Sequence, residues 1–137
     1  MPVRTSEATW EGDLRHGNGT MTVGDGAYEG PYTYVSRFES GEGTNPEELL
    51  GAAHAGCFSM ALANGLAEAG FEPERVNTRA HVHLEEGSIT RIVLETAVEA
   101  PEIDAEEFAE IATDAKENCP VSRLFAGAEI ELDATLV

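Results

Sequence analysis

The fold turns on one run: Asn45-Pro46-Glu47-Glu48-Leu49-Leu50-Gly51-Ala52-Ala53-His54-Ala55-Gly56-Cys57-Phe58-Ser59-Met60-Ala61-Leu62-Ala63-Asn64-Gly65-Leu66-Ala67-Glu68-Ala69-Gly70. Asn45 can cap a helix, and Pro46 takes the first helical position, where its missing N–H costs nothing. Glu48 stands three residues past the cap, the spacing of a capping box. From Leu49 to Ala69 the residues are small and apolar. Leu50, Ala53, Cys57 and Ala61 form one stripe, and Leu49, Ala52, Phe58, Met60, Leu62 and Leu66 cover much of the remaining surface. A helix apolar nearly all round belongs at the centre of a fold. Gly70 ends it.

Before this helix the chain turns like β-structure. Thr9-Trp10-Glu11-Gly12-Asp13 closes one run, and Thr20-Met21-Thr22-Val23 lies among Gly17, Gly19, Gly24, Gly26 and Gly30. Pro31 to Phe38, aromatic and β-branched, reads as a third strand. A Gly-rich break follows at Ser40-Gly41-Glu42-Gly43. After the helix, Val76 to Leu84 alternates with Val76, Ala80, Val82 and Leu84 on one face. Glu85-Glu86-Gly87-Ser88 turns the chain, and Ile89 to Val98 alternates again, giving a hairpin with one wet face. Asp104 caps a second helix with Glu107 at the box position and Phe108, Ile111, Ala112, Ala115 and Cys119 as its apolar stripe. Pro120 disfavours helical geometry at Cys119, so that thiol falls at or just past the helix end. A short segment, Val121 to Ala126, precedes a last strand from Ala128 to Leu136. The order β-β-β-α-β-β-α-β predicts an α+β fold: antiparallel sheets wrapped around two long, largely buried helices.

The chain has 137 residues, a length that predicts one domain over 1–137. Its 26 acidic and 8 basic residues give a formal net charge of −18, with Lys116 as the one lysine. Such a surface repels phosphate backbones and anionic lipid, which disfavours nucleic-acid and membrane partners. Heavy solvation, as in adaptation to high salt, is the bland reading of the acidity. The N-terminus lacks the apolar core of a secretory leader, and no stretch reads as about 20 apolar residues in a row, so the expected compartment is the cytoplasm. In that reducing setting a lone pair of cysteines is more often catalytic or redox-sensing than structural. Cys57 and Cys119 are that pair. Taken alone, Cys57 in an apolar helix is a small core residue whose burial keeps its proton on.

The segments Thr44-Asn45-Pro46-Glu47-Glu48, Gly51 to Cys57 and Cys119-Pro120-Val121-Ser122 resemble the OsmC/Ohr family of organic hydroperoxide reductases. So do Trp10-Glu11-Gly12 and Ser36-Arg37-Phe38-Glu39, and the resemblance runs over essentially the whole chain. Arg37 and His54 look more like the OsmC branch. Gly56 stands where the family usually carries alanine. The resemblance implies a peroxidase, acting in oxidative or osmotic stress defence, that reduces organic hydroperoxides and, less well, hydrogen peroxide. Cys57 would be the peroxidatic thiol and Cys119 the resolving thiol. Arg37 and Glu47 would be the charged pair, the guanidinium holding the thiolate and the carboxylate orienting the guanidinium. It also implies a small or protein-bound dithiol reductant of lipoyl type, an intertwined homodimer with active sites at the subunit interface, and no cofactor or metal.

Spacing adds a constraint. Ten residues on one straight helix separate Glu47 from Cys57 by about 15 Å along the axis. A shared site therefore requires either that the helix begin after Glu47, or that Glu47 come from a second subunit. The pocket is expected to be apolar, built from Leu50, Ala53, Phe58 and Ala61 with Tyr32, Tyr34 and Phe38. Other readings of the same residues are a His81/His83 metal chelate, a Cys57–His54 hydrolase or acyltransferase, a permanent Cys57–Cys119 disulfide, and a non-catalytic redox sensor or hydrophobic-ligand module.

Overall fold

A computed structural model describes residues 2–137. The chain divides into two compact units, one ending at Leu49 and one spanning Leu50–Val137. The first carries a meander, β1 (Ser6–Glu11), β2 (Asn18–Val23) and β3 (Tyr28–Tyr32), each strand antiparallel to the next. Pro31, which cannot donate to a ladder, sits in the edge strand β3. The expected third strand over Pro31–Phe38 exists but starts earlier and ends at Tyr32, sharing only Pro31 and Tyr32 with that span. Thr33 instead begins a short helix, α1 (Tyr34–Phe38), through a complete capping box with Ser36. Thr33 Oγ1 accepts from Ser36 N–H at 3.1 Å and Ser36 Oγ accepts from Thr33 N–H at 2.8 Å, so local bonds outweigh the β propensity of Tyr34 and Val35.

Helix α2 runs Pro46–Glu68. Asn45 Oδ1 accepts from Glu48 N–H at 2.8 Å, the cap expected from sequence. By length and composition alone the helix is long and apolar enough to cross a membrane, a test that the core helix of a fold also passes. It is built like a core helix. Gly51, His54, Phe58, Leu62 and Leu66 form its buried stripe, whereas Met60, on another face, is 77% exposed. The interior is thus chosen by the large side chains Phe58, Leu62 and Leu66, each 0% exposed, and the small residues of the predicted stripe lie one position off it.

In the second unit α2 packs on a three-stranded sheet, β4 (Arg75–Glu85), β5 (Ser88–Glu99) and β6 (Glu129–Leu136), and on α3 (Ala105–Asn118). β4 and β5 form the expected hairpin, whose tight turn places Glu86 and Gly87 at φ 49° and 80°, the left-handed pair a two-residue hairpin needs. Ile92, Leu94, Thr96 and Val98 alternate inward from β5. Buried Thr96 is satisfied in a chain, since Ser59 Oγ donates to Thr78 Oγ1 at 2.7 Å and Thr78 and Thr96 hydroxyls meet at 3.0 Å. One pairing departs from the antiparallel rule: β6 runs parallel to β5, Ile92 opposite Ile130 and Leu94 opposite Leu132. A helical crossover between the two strands brings the chain back to the same end of the sheet, which makes parallel pairing the outcome. Asp104 caps α3 through Glu107 N–H at 2.8 Å, and Phe108, Ala112, Ala115 and Cys119 are buried as its stripe predicts. Cys119 is extended, φ −64° and ψ 141°, and serves as the cap of a further helix, α4 (Pro120–Leu124). Pro120 stops α3 and, at the first position of α4, starts it again.

Candidate active site

The four residues singled out from sequence come together as two pairs, one in each unit. In the first unit, Arg37 Nε donates to Glu47 Oε1 at 3.1 Å and Nη2 donates to Oε2 at 2.9 Å, a forked pair. Glu47 is 12% exposed and Arg37 35%. Backbone stapling explains why they meet. Ser36 Oγ donates to Thr44 O at 2.7 Å, Asn45 Nδ2 donates to Ser36 O at 2.9 Å, and Thr44 N–H donates to Pro31 O at 2.8 Å. These bonds bind α1 to the start of α2, so the side chains ten residues apart face each other. Arg37 also lies over the Phe38 ring at 5.1 Å. Beside it opens a cavity of about 360 Å³ lined in part by Trp10, Leu14, Tyr32, Tyr34 and Phe38.

In the second unit the two free cysteines meet. The Cys119 thiol and the Val121 backbone N–H both act on the Cys57 sulfur. Its pKa is raised above the ordinary thiol value of 9.0, first by burial and further by the Cys119 thiol, against the opposing pull of Val121 N–H. Among the described residues of this unit no cation acts on that sulfur. Cys119 is 2% exposed; its thiol donates to Ser122 Oγ at 3.1 Å, and its sulfur accepts from Ser122 N–H at 3.4 Å.

His54, one turn before Cys57, turns elsewhere. Its Nε2 meets Ser122 Oγ at 2.7 Å and its ring stands edge-on to Phe125 at 5.6 Å. The ring is 0% exposed, and burial holds its pKa below the ordinary histidine value. The alternative of His54 as a base paired directly with Cys57 gives way to a packed histidine bound to Ser122. Ser122 was missed as a site residue, though the Cys-Pro-x-Ser spacing that caps α4 carries the signal: a cap three residues ahead of a hydroxyl turns that hydroxyl back on the cap.

Of the expected pocket residues, Phe58 is sealed in the core. Tyr32, Tyr34 and Phe38 line the first unit's cavity, and Leu50 lines a second, of about 240 Å³, with Ile89, Leu124, Phe125, Gly127 and Ala128. His81 Nε2 bonds Glu95 Oε1 at 3.1 Å on the wet face of the hairpin, and among the described residues no group of three or more His, Cys, Asp or Glu is arranged to hold a metal ion. Gly56 has nothing within 4 Å of where a Cβ would stand, so an alanine fits there.

A family model described as OsmC-like protein matches residues 39–134. Peroxiredoxin OsmC of Escherichia coli K12 is 47% identical over 138 residues, covering 97% of this chain and 96% of that protein. The organic hydroperoxide resistance protein OhrB of Bacillus subtilis shares the fold at a TM-score of 0.65 with 25% identity, covering 97% of this chain and 98% of its own. An OsmC-like protein from Mycoplasma pneumoniae shares it at a TM-score of 0.75 with 17% identity, covering 99% and 98%. With its model match and this identity across nearly its whole length, the chain belongs to the OsmC family.

Proposed function

We propose that this chain is a dithiol-dependent peroxidase that reduces organic hydroperoxides to alcohols, with residues 1–137 acting as one catalytic domain. The Cys57 thiolate attacks the outer oxygen of the O–O bond. The alkoxide leaves, takes a proton and departs as the alcohol, and Cys57 becomes a sulfenic acid. Cys119 sulfur then attacks the Cys57 sulfur, expelling water and closing a disulfide. An external dithiol, of lipoyl type, attacks that disulfide and leaves as its own disulfide, returning both thiols. The observation that carries this reading is the meeting of the two free sulfurs at the α3–α4 junction. The peroxiredoxin name of the Escherichia coli relative supports it.

In this proposal Arg37 supplies the cation that Cys57 needs, and Glu47 fixes its orientation through the forked pair. In this reading the pair that serves Cys57 comes from a second subunit, in a homodimer; the place of Glu47 in the first turn of α2 supports that choice over a helix that begins later. The exposed Met60 and the small residues Ala52, Ala53 and Gly56 on the open face of α2 support such an assembly. Apolar cavity walls favour alkyl hydroperoxides over hydrogen peroxide. A cytoplasmic role in stress defence fits the reducing chemistry both thiols require.

The test is consumption of cumene hydroperoxide or tert-butyl hydroperoxide with a dithiol by the wild type, Cys57→Ser and Cys119→Ser. Turnover lost with Cys57→Ser supports the proposal, and turnover retained by it overturns it.

A further inference from the structure

We propose that Ser122 and His54 form a proton relay to the Cys119 sulfur, with Ser122 the catalytic residue touching the reacting atom and His54 the positioning residue behind it. The proposal rests on the peroxidase reading above. The three groups stand in line: Cys119 Sγ to Ser122 Oγ at 3.1 Å, Ser122 Oγ to His54 Nε2 at 2.7 Å. All three are buried, at 2%, 4% and 0% exposure.

A histidine placed there for packing alone is an expensive choice. Burying an imidazole is unfavourable unless both nitrogens are bonded, and Nδ1 of His54 has no partner among the described residues. The fold therefore tolerates one orphaned nitrogen in order to hold the other against Ser122. An apolar side chain of similar size would fill the space beside Phe125 without that penalty. Burial favours the neutral ring, and in the tautomer with its proton on Nδ1 the Nε2 lone pair faces the Ser122 hydroxyl at 2.7 Å.

The relay balances in both directions. When Cys119 attacks the Cys57 sulfenic acid, its S–H proton passes to Ser122 Oγ while the Ser122 hydroxyl proton passes to His54 Nε2. The S–S bond forms, the S–O bond of the sulfenic acid breaks, and the departing hydroxide takes up one proton as water. The imidazolium gives up its extra proton as the site returns to neutrality. When an external dithiol later attacks Cys57, the attacking thiol gives up its proton, the S–S bond breaks and Cys119 leaves as thiolate. Ser122 N–H, 3.4 Å from that sulfur, stabilises the charge; the proton released by the attacking thiol, taken up at His54 Nε2, passes through Ser122 to Cys119, and His54 ends neutral.

The experiment separates the two chemical steps. Reduced protein is mixed with one equivalent of tert-butyl hydroperoxide. Peroxide loss is followed by stopped flow, and Cys57 sulfenate is trapped with dimedone at timed intervals while the Cys57–Cys119 disulfide is counted by mass spectrometry. The variants are His54→Gln, Ser122→Ala, Ser122→Thr and the His54→Gln/Ser122→Ala double. Glutamine can bond Ser122 but cannot take a proton. Peroxide loss should stay within about twofold of wild type in all four, while disulfide formation slows about 10²-fold in His54→Gln and in Ser122→Ala. The double variant should be no slower than the slower single, and Ser122→Thr should recover most of the rate, since it restores the hydroxyl. Disulfide formation at the wild-type rate in Ser122→Ala overturns the relay, as does equal slowing of both steps, which marks a packing defect. A wild type that consumes no peroxide refutes the peroxidase reading itself, a result distinct from either.

Discussion

Replacing Arg37 with methionine removes the charge and keeps much of the length. In the second unit burial and the Cys119 thiol hold the Cys57 thiol above its ordinary range, so the neutral form dominates at pH 7. Each tenfold gain in thiolate takes about 1.4 kcal/mol. One guanidinium about 5 Å away, at an effective dielectric of about 20, supplies roughly 3 kcal/mol. A single arginine is therefore worth about a hundredfold in thiolate, which its loss should return. The expected outcome for Arg37→Met is a rate constant for peroxide reduction about 100-fold lower at pH 7, rising about tenfold per pH unit until the raised pKa is reached. The wild type should be nearly flat over the same range. Arg37→Lys should fall between, because an ammonium keeps the charge and loses the fork to Glu47. The assay is single-turnover reaction with limiting hydroperoxide from about pH 6 to about pH 10, alongside alkylation of Cys57 by iodoacetamide over the same range. Thermal unfolding is the control: a partly exposed ion pair is worth about 1 kcal/mol, so the melting temperature should move by only about 3 °C. Arg37→Met reacting at the wild-type rate with the wild-type pH profile would refute the assignment of Arg37 to the thiolate.

Cys119→Ser should complete one peroxide reduction and then stall as a Cys57 sulfenic acid, driven by excess peroxide to sulfinic acid, seen as a mass gain of about two oxygens. Met60→Glu, at a position 77% exposed in the single chain, should leave the subunit folded but run as a monomer on sizing with activity down more than about tenfold; activity in that monomeric fraction would count against the dimeric site. In the Met60→Glu background, where the α2 face is free of a partner, Gly56→Ala should stabilise by about 0.5–1 kcal/mol in denaturant titration, since the position is helical and open in the single chain. Asn45→Ala removes both the cap on Glu48 and the bond to Ser36 O. About 1 kcal/mol for the cap and about 1–2 kcal/mol for the buried carbonyl left unpaired predict a melting temperature roughly 6–10 °C lower, with Asn45→Ser recovering the cap's share alone.

Much of the fold was legible because its signals are local. Asn45, Pro46 and Glu48 announce α2, Asp104 and Glu107 announce α3, and Glu86-Gly87 between two alternating runs announces the hairpin. What escaped depends on contacts a linear pattern does not carry. The Thr33–Ser36 box turned a strand-like stretch into α1, and the parallel seat of β6 follows from a crossover that reverses nothing in the local alternation. For the site, the two cysteines and the Arg37–Glu47 pair were legible through their motifs, whereas the staple joining α1 to α2 was not. Ser36 reads as a strand residue and Asn45 as an ordinary helix cap, and only the fold shows that each also bonds the other's segment.

The interior face of α2 explains the remaining misreading and why it matters. Small residues carry little information about direction, because burying an alanine gains far less than burying a phenylalanine or leucine. Phe58, Leu62 and Leu66 therefore fix the rotation of the helix, and residues four before Phe58 must go inward with them. That residue is His54, the one strongly polar side chain on the buried stripe. Cys57, one position before Phe58, is carried to the edge of the same face, half-buried beside Cys119. The rotation that satisfies the hydrophobic core thus sets a thiol at the core's margin and a histidine inside it, both against the α3–α4 junction. A polar group that breaks the local rule at the spot where two free sulfurs meet is the place to look for chemistry, since packing alone gives no reason to keep it there.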